Sequence, residues 1–340
     1  MRVSVVDWEL ASAVASGLAP TGPEVGASEV RAMTHQLAEF AEQAASEVHA
    51  ITGLVAVPGH RTIVADRQRW IRSNIDALAA LTEHLDSRVG AGAVHAFGSR
   101  ATALQIGATL GWMSGRVLGQ YEVVAEPGSL LLVAPTIAAT ERTLDVPAAD
   151  FRLWVCLHEE THRVQFGAVP WLRDYFIKRV QILLEPPELG LRDSLAWLTA
   201  VVTTVARALR GRSDLAVTDL APTEEQRTAL RELMALMTVL EGHADVVMDL
   251  AGPEVIPSVA LIRERFEVRR DSAHGMDRII RTLLGVEAKM RQYRDGASFI
   301  RSLVDAGGMA RVNALWSGPD ALPTLEEIAA PAQWSERTAA

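Results

Sequence analysis

The chain has 340 residues, of which 49% are hydrophobic and 22% charged. That is a globular composition with enough apolar material for one large core or two smaller ones, and neither a fibrous nor a disordered one. A formal net charge of -9 gives no electrostatic footprint for nucleic acid, and the single cysteine, Cys156, excludes an intrachain disulfide and fits a reducing, cytoplasmic setting.

Asp7 and Glu9 interrupt the N-terminus before any apolar run develops, which argues against a signal peptide. Ser28 reads as the N-cap of a helix running to about His49, with Val30, Met33, Leu37 and Phe40 at helical spacing. A second helix is predicted from Arg67 to about Val89, striped by Trp70, Ile71, Ile75, Leu78 and Leu81, and a third from Ala101 to Leu118. The turn pair Pro127-Gly128 introduces the clearest strand, Ser129-Leu-Leu-Leu-Val-Ala, which stops at Pro135. It reads either as a core strand or as an edge that an extended peptide could join. A helix beginning near Pro147 or Ala148 runs to about Phe166.

The near-apolar stretch Leu195 to Leu209 contains three threonines and Arg207 and is short for a membrane span; it reads as a buried helix with at most surface contact to a membrane. Thr223 and Gln226 form a capping box for a helix to Leu250, which Gly252-Pro253 ends. Helices over Pro257 to Arg270 and Met276 to Tyr293 follow, then a looser tail with Pro319, Pro323 and Pro331. The expected fold is mainly α (α+β), with a small sheet just before the helix that starts at 147 or 148. It divides into an N-terminal helical region, 1–125, and a compact catalytic region, 126–340.

Residues 158 to 162 read His-Glu-Glu-Thr-His. Histidines four apart on a helix project from one face on successive turns, so His158 and His162 can reach one ion. Glu159 lies about 100° round the helix, where its carboxylate can reach a water on the metal without being a ligand. Zinc acidifies that water, the glutamate takes the proton, and the resulting hydroxide attacks a carbonyl polarised by the metal. Phe151, Trp154 and Val155 lead up one face to the two histidines, while Leu153, Leu157 and Val164 form another stripe, so the helix is buried nearly all round. Two buried imidazoles need partners, which a metal supplies for both; the plainer alternative is a pair of core histidines satisfied by hydrogen bonds. Glu160 reads as solvent-facing, and Cys156 as a small core residue pointing away from the metal.

A catalytic zinc takes three protein ligands and a water. The helix from Thr223 supplies the third: Glu241 falls in the apolar stripe of Leu230, Met234, Met237 and Met248, with Asp245 one turn on. Buried carboxylates need a cation or a donor. Zinc answers for Glu241, and a hydrogen bond from a ligand imidazole answers for Asp245, which would fix that ring's tautomer. His243, about 200° round the helix from Glu241, is the alternative third ligand. Tyr293, and less readily His274, is the candidate second donor for the developing oxyanion, weighed against a structural role for each.

His158-Glu159-x-x-His162 with Glu241-x-x-x-Asp245 resembles the gluzincin branch of the zincin metallopeptidases, although the gap from His162 to Glu241 is longer than in the thermolysin-like members. The whole chain resembles an actinobacterial family of zinc metallopeptidases of unestablished substrate, some labelled as associated with deazaflavin-coenzyme biosynthesis. That resemblance rests on Val6-Asp-Trp, on Asp66-Arg-Gln-Arg-Trp-Ile-Arg-Ser-Asn, on Leu130-Leu-Leu-Val-Ala-Pro and on the His158 motif. Leu240-Glu-Gly-His-Ala-Asp, Lys289-x-x-Gln-Tyr, Asn313-Ala-Leu-Trp and Leu322-Pro-Thr-Leu-Glu-Glu-Ile complete it. It implies a zincin-like fold and hydrolase activity. The expected function is a Zn2+-dependent hydrolase acting on a peptide or protein substrate. The alternatives are a zinc-stabilised scaffold or binding protein without turnover, and a non-peptide amide hydrolase on the same site.

Overall fold

The computed structural model describes residues 5–55, 61–86, 93–185, 223–271 and 286–339. The chain divides into two compact units: Met1–Arg173 with Val247–Phe266, and Asp174–Val246 with Glu267–Ala340. The architecture is mostly helical with one small sheet.

In the first unit, α1 (Trp8–Leu18) is capped by Asp7, whose carboxylate accepts from the Leu10 N–H at 3.0 Å. Helix α2 (Ala27–Thr52) starts ahead of Ser28: extended Gly26 is the N-cap and no side chain closes it. It ends at Gly53, whose φ of 69° lies in the left-handed region that only glycine enters without a Cβ penalty. Strand β1 (Arg61–Ala65) leads into α3 (Arg67–Asp86), and α4 (Ala93–Ser114) begins and ends earlier than its periodicity suggests. Then come β2 (Gly119–Tyr121), β3 (Ser129–Val133), α5 (Ala134–Leu144) and α6 (Ala148–Ala168). Pro135 does stop the strand, but it also opens α5, in whose first turn its missing N–H costs nothing.

The strand order is β1-β3-β2, with β3 parallel to β1 and antiparallel to β2. The strand Leu130 to Val133 is therefore central and fully buried, and the reading of it as an edge for an extended peptide is overturned. Among the described residues the edges are β1 and β2.

Alternation along β3 splits the sheet between two cores. Leu132 joins α2, α5 and α6 through Leu37, Val48, Ile137, Phe151 and Leu157. Leu131 and Val133 join α1, α3 and α4 through Ala15, Trp70, Ile71 and Leu110. Register carries the same division to β2: Gly119 lies opposite Leu132 and faces α6, whereas Gln120 lies opposite Leu131 and faces α3.

Further on are α7 (Leu172–Leu184), α8 (Glu224–Val255), α9 (Val259–Asp271), α10 (Val286–Asn313), α11 (Leu325–Ala329) and α12 (Pro331–Ala339). The capping box of α8 forms as expected: the Gln226 N–H donates to Thr223 Oγ1 at 3.1 Å, and the Thr223 N–H to Gln226 Oε1 at 3.3 Å. Gly252, at φ 63°, breaks α8, and a last turn carrying Pro253 follows.

In the second unit, α8 and α10 touch backbone to backbone at Gly242 and Gly296. The tail, read as loose, is ordered. Thr324 and Glu327 close a capping box on α11, and buried Trp334 packs edge-on against Phe299 and donates to the Ala321 carbonyl at 2.7 Å. Among the described residues no helix is long and apolar enough to cross a membrane; Leu195 to Leu209 lies outside them.

Candidate metal centre

The roll of α6 about its axis is set before any ion is considered. Phe151, Val155, Cys156 and Leu157 are buried in the α2 and α5 core, each large side chain contributing about 1.5–3 kcal/mol. Trp154 stacks on Phe151 (centroids 5.9 Å apart) and meets Phe266 at a tilt of 51° (5.2 Å). Arg152 is forked onto Glu141 (2.9 and 2.5 Å) and reaches Gln36 (2.6 Å), and the Asp150 carboxylate in the first turn accepts from the Ser258 N–H at 2.9 Å.

With the helix so fixed, His158 and His162 project together, both half-buried. Their Nε2 atoms stand 3.1 Å apart and their rings meet edge-on at 88° with centroids 4.7 Å apart. Two imidazole nitrogens bound to one tetrahedral zinc at about 2.0–2.1 Å are roughly 3.3 Å apart, so the pair is within a few tenths of an ångström of a chelating geometry. The Nδ1 of His162 lies 2.9 Å from Oε1 of buried Gln165. An amide oxygen can only accept, so Nδ1 carries the proton and Nε2 keeps its lone pair for an ion.

Glu241, on α8, is a further ligand-capable carboxylate and a candidate to complete the site. Helix α8 buries Val247 and Met248 in the core that holds Phe151 and Val155. Asp245 is half-buried one turn beyond Glu241. His243 is fully buried, with its ring 5.6 Å from that of Trp316. Tyr293 falls within α10, but its side chain, like all of His274, lies outside the described residues.

Glu159 is buried and packs against β2: a Cβ built on Gly119 would lie 2.6 Å from Glu159 Cδ and 2.9 Å from Oε1. Sequence reading missed Gly119 because a three-residue strand is too short to display a period. Beside it, Tyr121 stacks on Phe166 (5.9 Å, 19°). Burial raises its phenol pKa, against the opposing pull of Arg163 and Arg173.

Glu160 does not face solvent. It is 1% exposed and ion-paired with Arg163, because packed layers leave that side of α6 no open face. Burial raises its carboxyl above the usual range, and the Arg163 guanidinium opposes the shift. Cys156 points away from the histidines toward the Leu37 carbonyl, and burial pushes its thiol far above the ordinary range.

These residues suit a hydrolytic metal, and comparison with known proteins points the same way. A crystal structure from Chloroflexus aurantiacus, described as a provisional hydrolase with a novel fold, is 28% identical, superposes with a TM-score of 0.69 and is matched over 98% of each chain. Among proteins of curated function, none matches. The family model described as zincin-like metallopeptidase matches residues 6–335, an extent that takes in both compact units and the histidine motif. The chain belongs to the zincin-like metallopeptidase family.

Proposed function

We propose that the protein is a zinc-dependent hydrolase that cleaves peptide bonds, with His158, His162 and Glu241 holding the metal and Glu159 as the general base. The observation that carries this reading is the pair of Nε2 atoms 3.1 Å apart on one face of α6, with the Glu159 carboxylate on the same helix. When bound, zinc supplies the Lewis acidity that acidifies a water and polarises the scissile carbonyl. The Glu159 carboxylate takes the water's proton and passes it to the departing amine. Burial against Gly119 restricts its rotamers and excludes bulk water from it. Gln165 holds the His162 ring in the tautomer that leaves Nε2 unprotonated. We assign Asp245 to orienting a ligand imidazole. Tyr293 is assigned as the oxyanion donor from its sequence position.

An extended peptide is the substrate class favoured by β2. Among the described residues it is an edge strand, and its register turns the Gly119 N–H and C=O away from β3, beside Glu159. A scaffold that only stores zinc has no use for a buried carboxylate at 159.

The test is Glu159→Gln in zinc-loaded protein. Zinc stoichiometry by elemental analysis stays at the wild-type level, and cleavage of a peptide library falls by about 10²–10⁴, the usual contribution of a general base. His158→Ala loses the metal. Equal turnover by Glu159→Gln and wild type refutes the proposal.

A further inference from the structure

We infer that Trp70, Asn74 and Gln120 form a positioning device for Glu159, acting through the backbone of β2; the inference rests on the reading of Glu159 as the base. Strand β2 is three residues long, and a strand that short at a sheet edge frays readily. Its ladder to β3 includes the Glu122 N–H donating to the Ser129 carbonyl and the Val133 N–H donating to the Leu118 carbonyl, both at 2.8 Å. Side chains of α3 add a second set of restraints on the face away from Glu159. Gln120 Oε1 accepts from Trp70 Nε1 at 2.7 Å and from Asn74 Nδ2 at 3.2 Å. Gln120 Nε2 in turn donates to Asn74 Oδ1 at 3.2 Å. Asn74 is itself tied to its helix by donating to the Trp70 carbonyl at 2.8 Å, and Trp70 is 1% exposed. Two residues along β2 on the same face, Glu122 accepts from Ser73 Oγ.

The opposite face of β2 transmits this restraint. Gly119 precedes Gln120, so it points to the other side of the sheet, where the Glu159 side chain rests against its Cα. No Cβ cushions that contact, and a shift of β2 toward α6 displaces the carboxylate by a comparable distance. A misplacement of roughly 1 Å in a catalytic group costs about 10²-fold in rate. The polar residues of α3 therefore govern a carboxylate that none of them touches.

The experiment uses the zinc-loaded full chain and a peptide chosen from a library on the wild type. Gln120→Leu removes the shared acceptor. The expected result is a kcat lowered about tenfold or more with KM and zinc stoichiometry unchanged, and a Glu122 amide that exchanges hydrogen about tenfold faster. Gln120→Glu keeps an acceptor for Trp70 and Asn74 and recovers most of kcat. Gly119→Ala retains zinc, lowers kcat by about 10²-fold, and moves the Glu159 carboxylate in a crystal structure. Wild-type kcat in Gln120→Leu despite faster exchange overturns the inference, as does a rise in KM alone, which would assign the network to substrate binding. If the wild type cleaves no peptide, the hydrolase reading fails by itself. The exchange rate and the position of Glu159 in the two variants then still decide the positioning role, and an unmoved carboxylate in both overturns it.

Discussion

Gly242→Ala measures how closely α8 and α10 approach. A Cβ at position 242 would lie 2.5 Å from the Gly296 carbonyl oxygen and 2.7 Å from the Ala297 nitrogen. Favourable contacts between heavy atoms begin at about 3.5 Å, so the helices must separate by roughly 1 Å. The clashing atoms are backbone and cannot rotate aside, which puts the cost at the upper end of the overpacking range, about 3 kcal/mol. Alanine is favoured over glycine in a helix interior by about 1 kcal/mol, which offsets part of this. The net loss is about 2 kcal/mol, or a fall in Tm of about 4–8 °C for a unit of this size. The assay is a thermal melt at matched zinc and protein concentrations, since bound metal raises Tm by mass action. Gly296→Ala meets the Thr238 backbone in the same crossing, so the double variant loses less than the sum of the single losses. A Gly242→Ala protein that melts at or above the wild-type temperature refutes the backbone contact.

Three further outcomes follow from side-chain environments. Glu241→Ala loses zinc by elemental analysis, whereas His243→Ala keeps it but melts earlier, by about 2 kcal/mol or more, because the ring packed on Trp316 leaves a cavity. Zinc loss in His243→Ala alone would reverse the ligand assignment. Glu327 is held below the usual carboxylate range, chiefly by its hydrogen bond from Arg337. Its stabilising effect is present above the unfolded value of about pH 4.3 and is lost as pH falls through the lower folded value. Urea unfolding of Glu327→Gln therefore shows a deficit of about 1 kcal/mol near neutrality that shrinks as pH falls below about 4, and a deficit that does not shrink with acidification contradicts the assignment. Cys156 resists alkylation at pH 8 in the native state and reacts on unfolding, as followed by mass spectrometry; prompt native labelling would contradict its burial.

Much of the candidate metal centre was legible because its information is local. His158 and His162 share a helix face by virtue of a four-residue spacing, and no tertiary fact can undo that while α6 remains helical. The capping box at Thr223 and Gln226 is local in the same sense. Glu160 was misread because solvent exposure is not a property of spacing: it depends on which layers cover the helix. Strand β3 was legible as a strand, and its core reading holds, but the run from Leu130 to Val133 suits an edge or a centre until β1 and β2 are known. The stretch from Asp66 to Asn74 was legible as a family pattern and, from Arg67, as the start of a helix, but not for what its polar residues hold. In the fold its polar members have separate tasks: Asp66 accepts from the Arg69 N–H, and Arg67 ties Pro20, Pro135 and Thr136. Trp70, Ser73 and Asn74 hold β2.

Residue spacing along the chain was thus enough to name several of the long helices, the two imidazoles and the adjoining acid, because a helix repeats every 3.6 residues whatever surrounds it. Which strand borders Glu159, and why position 119 has no side chain, were decided only by tertiary packing. Those are distances between segments far apart in sequence, and they exist only after β3 has been enclosed between its two cores.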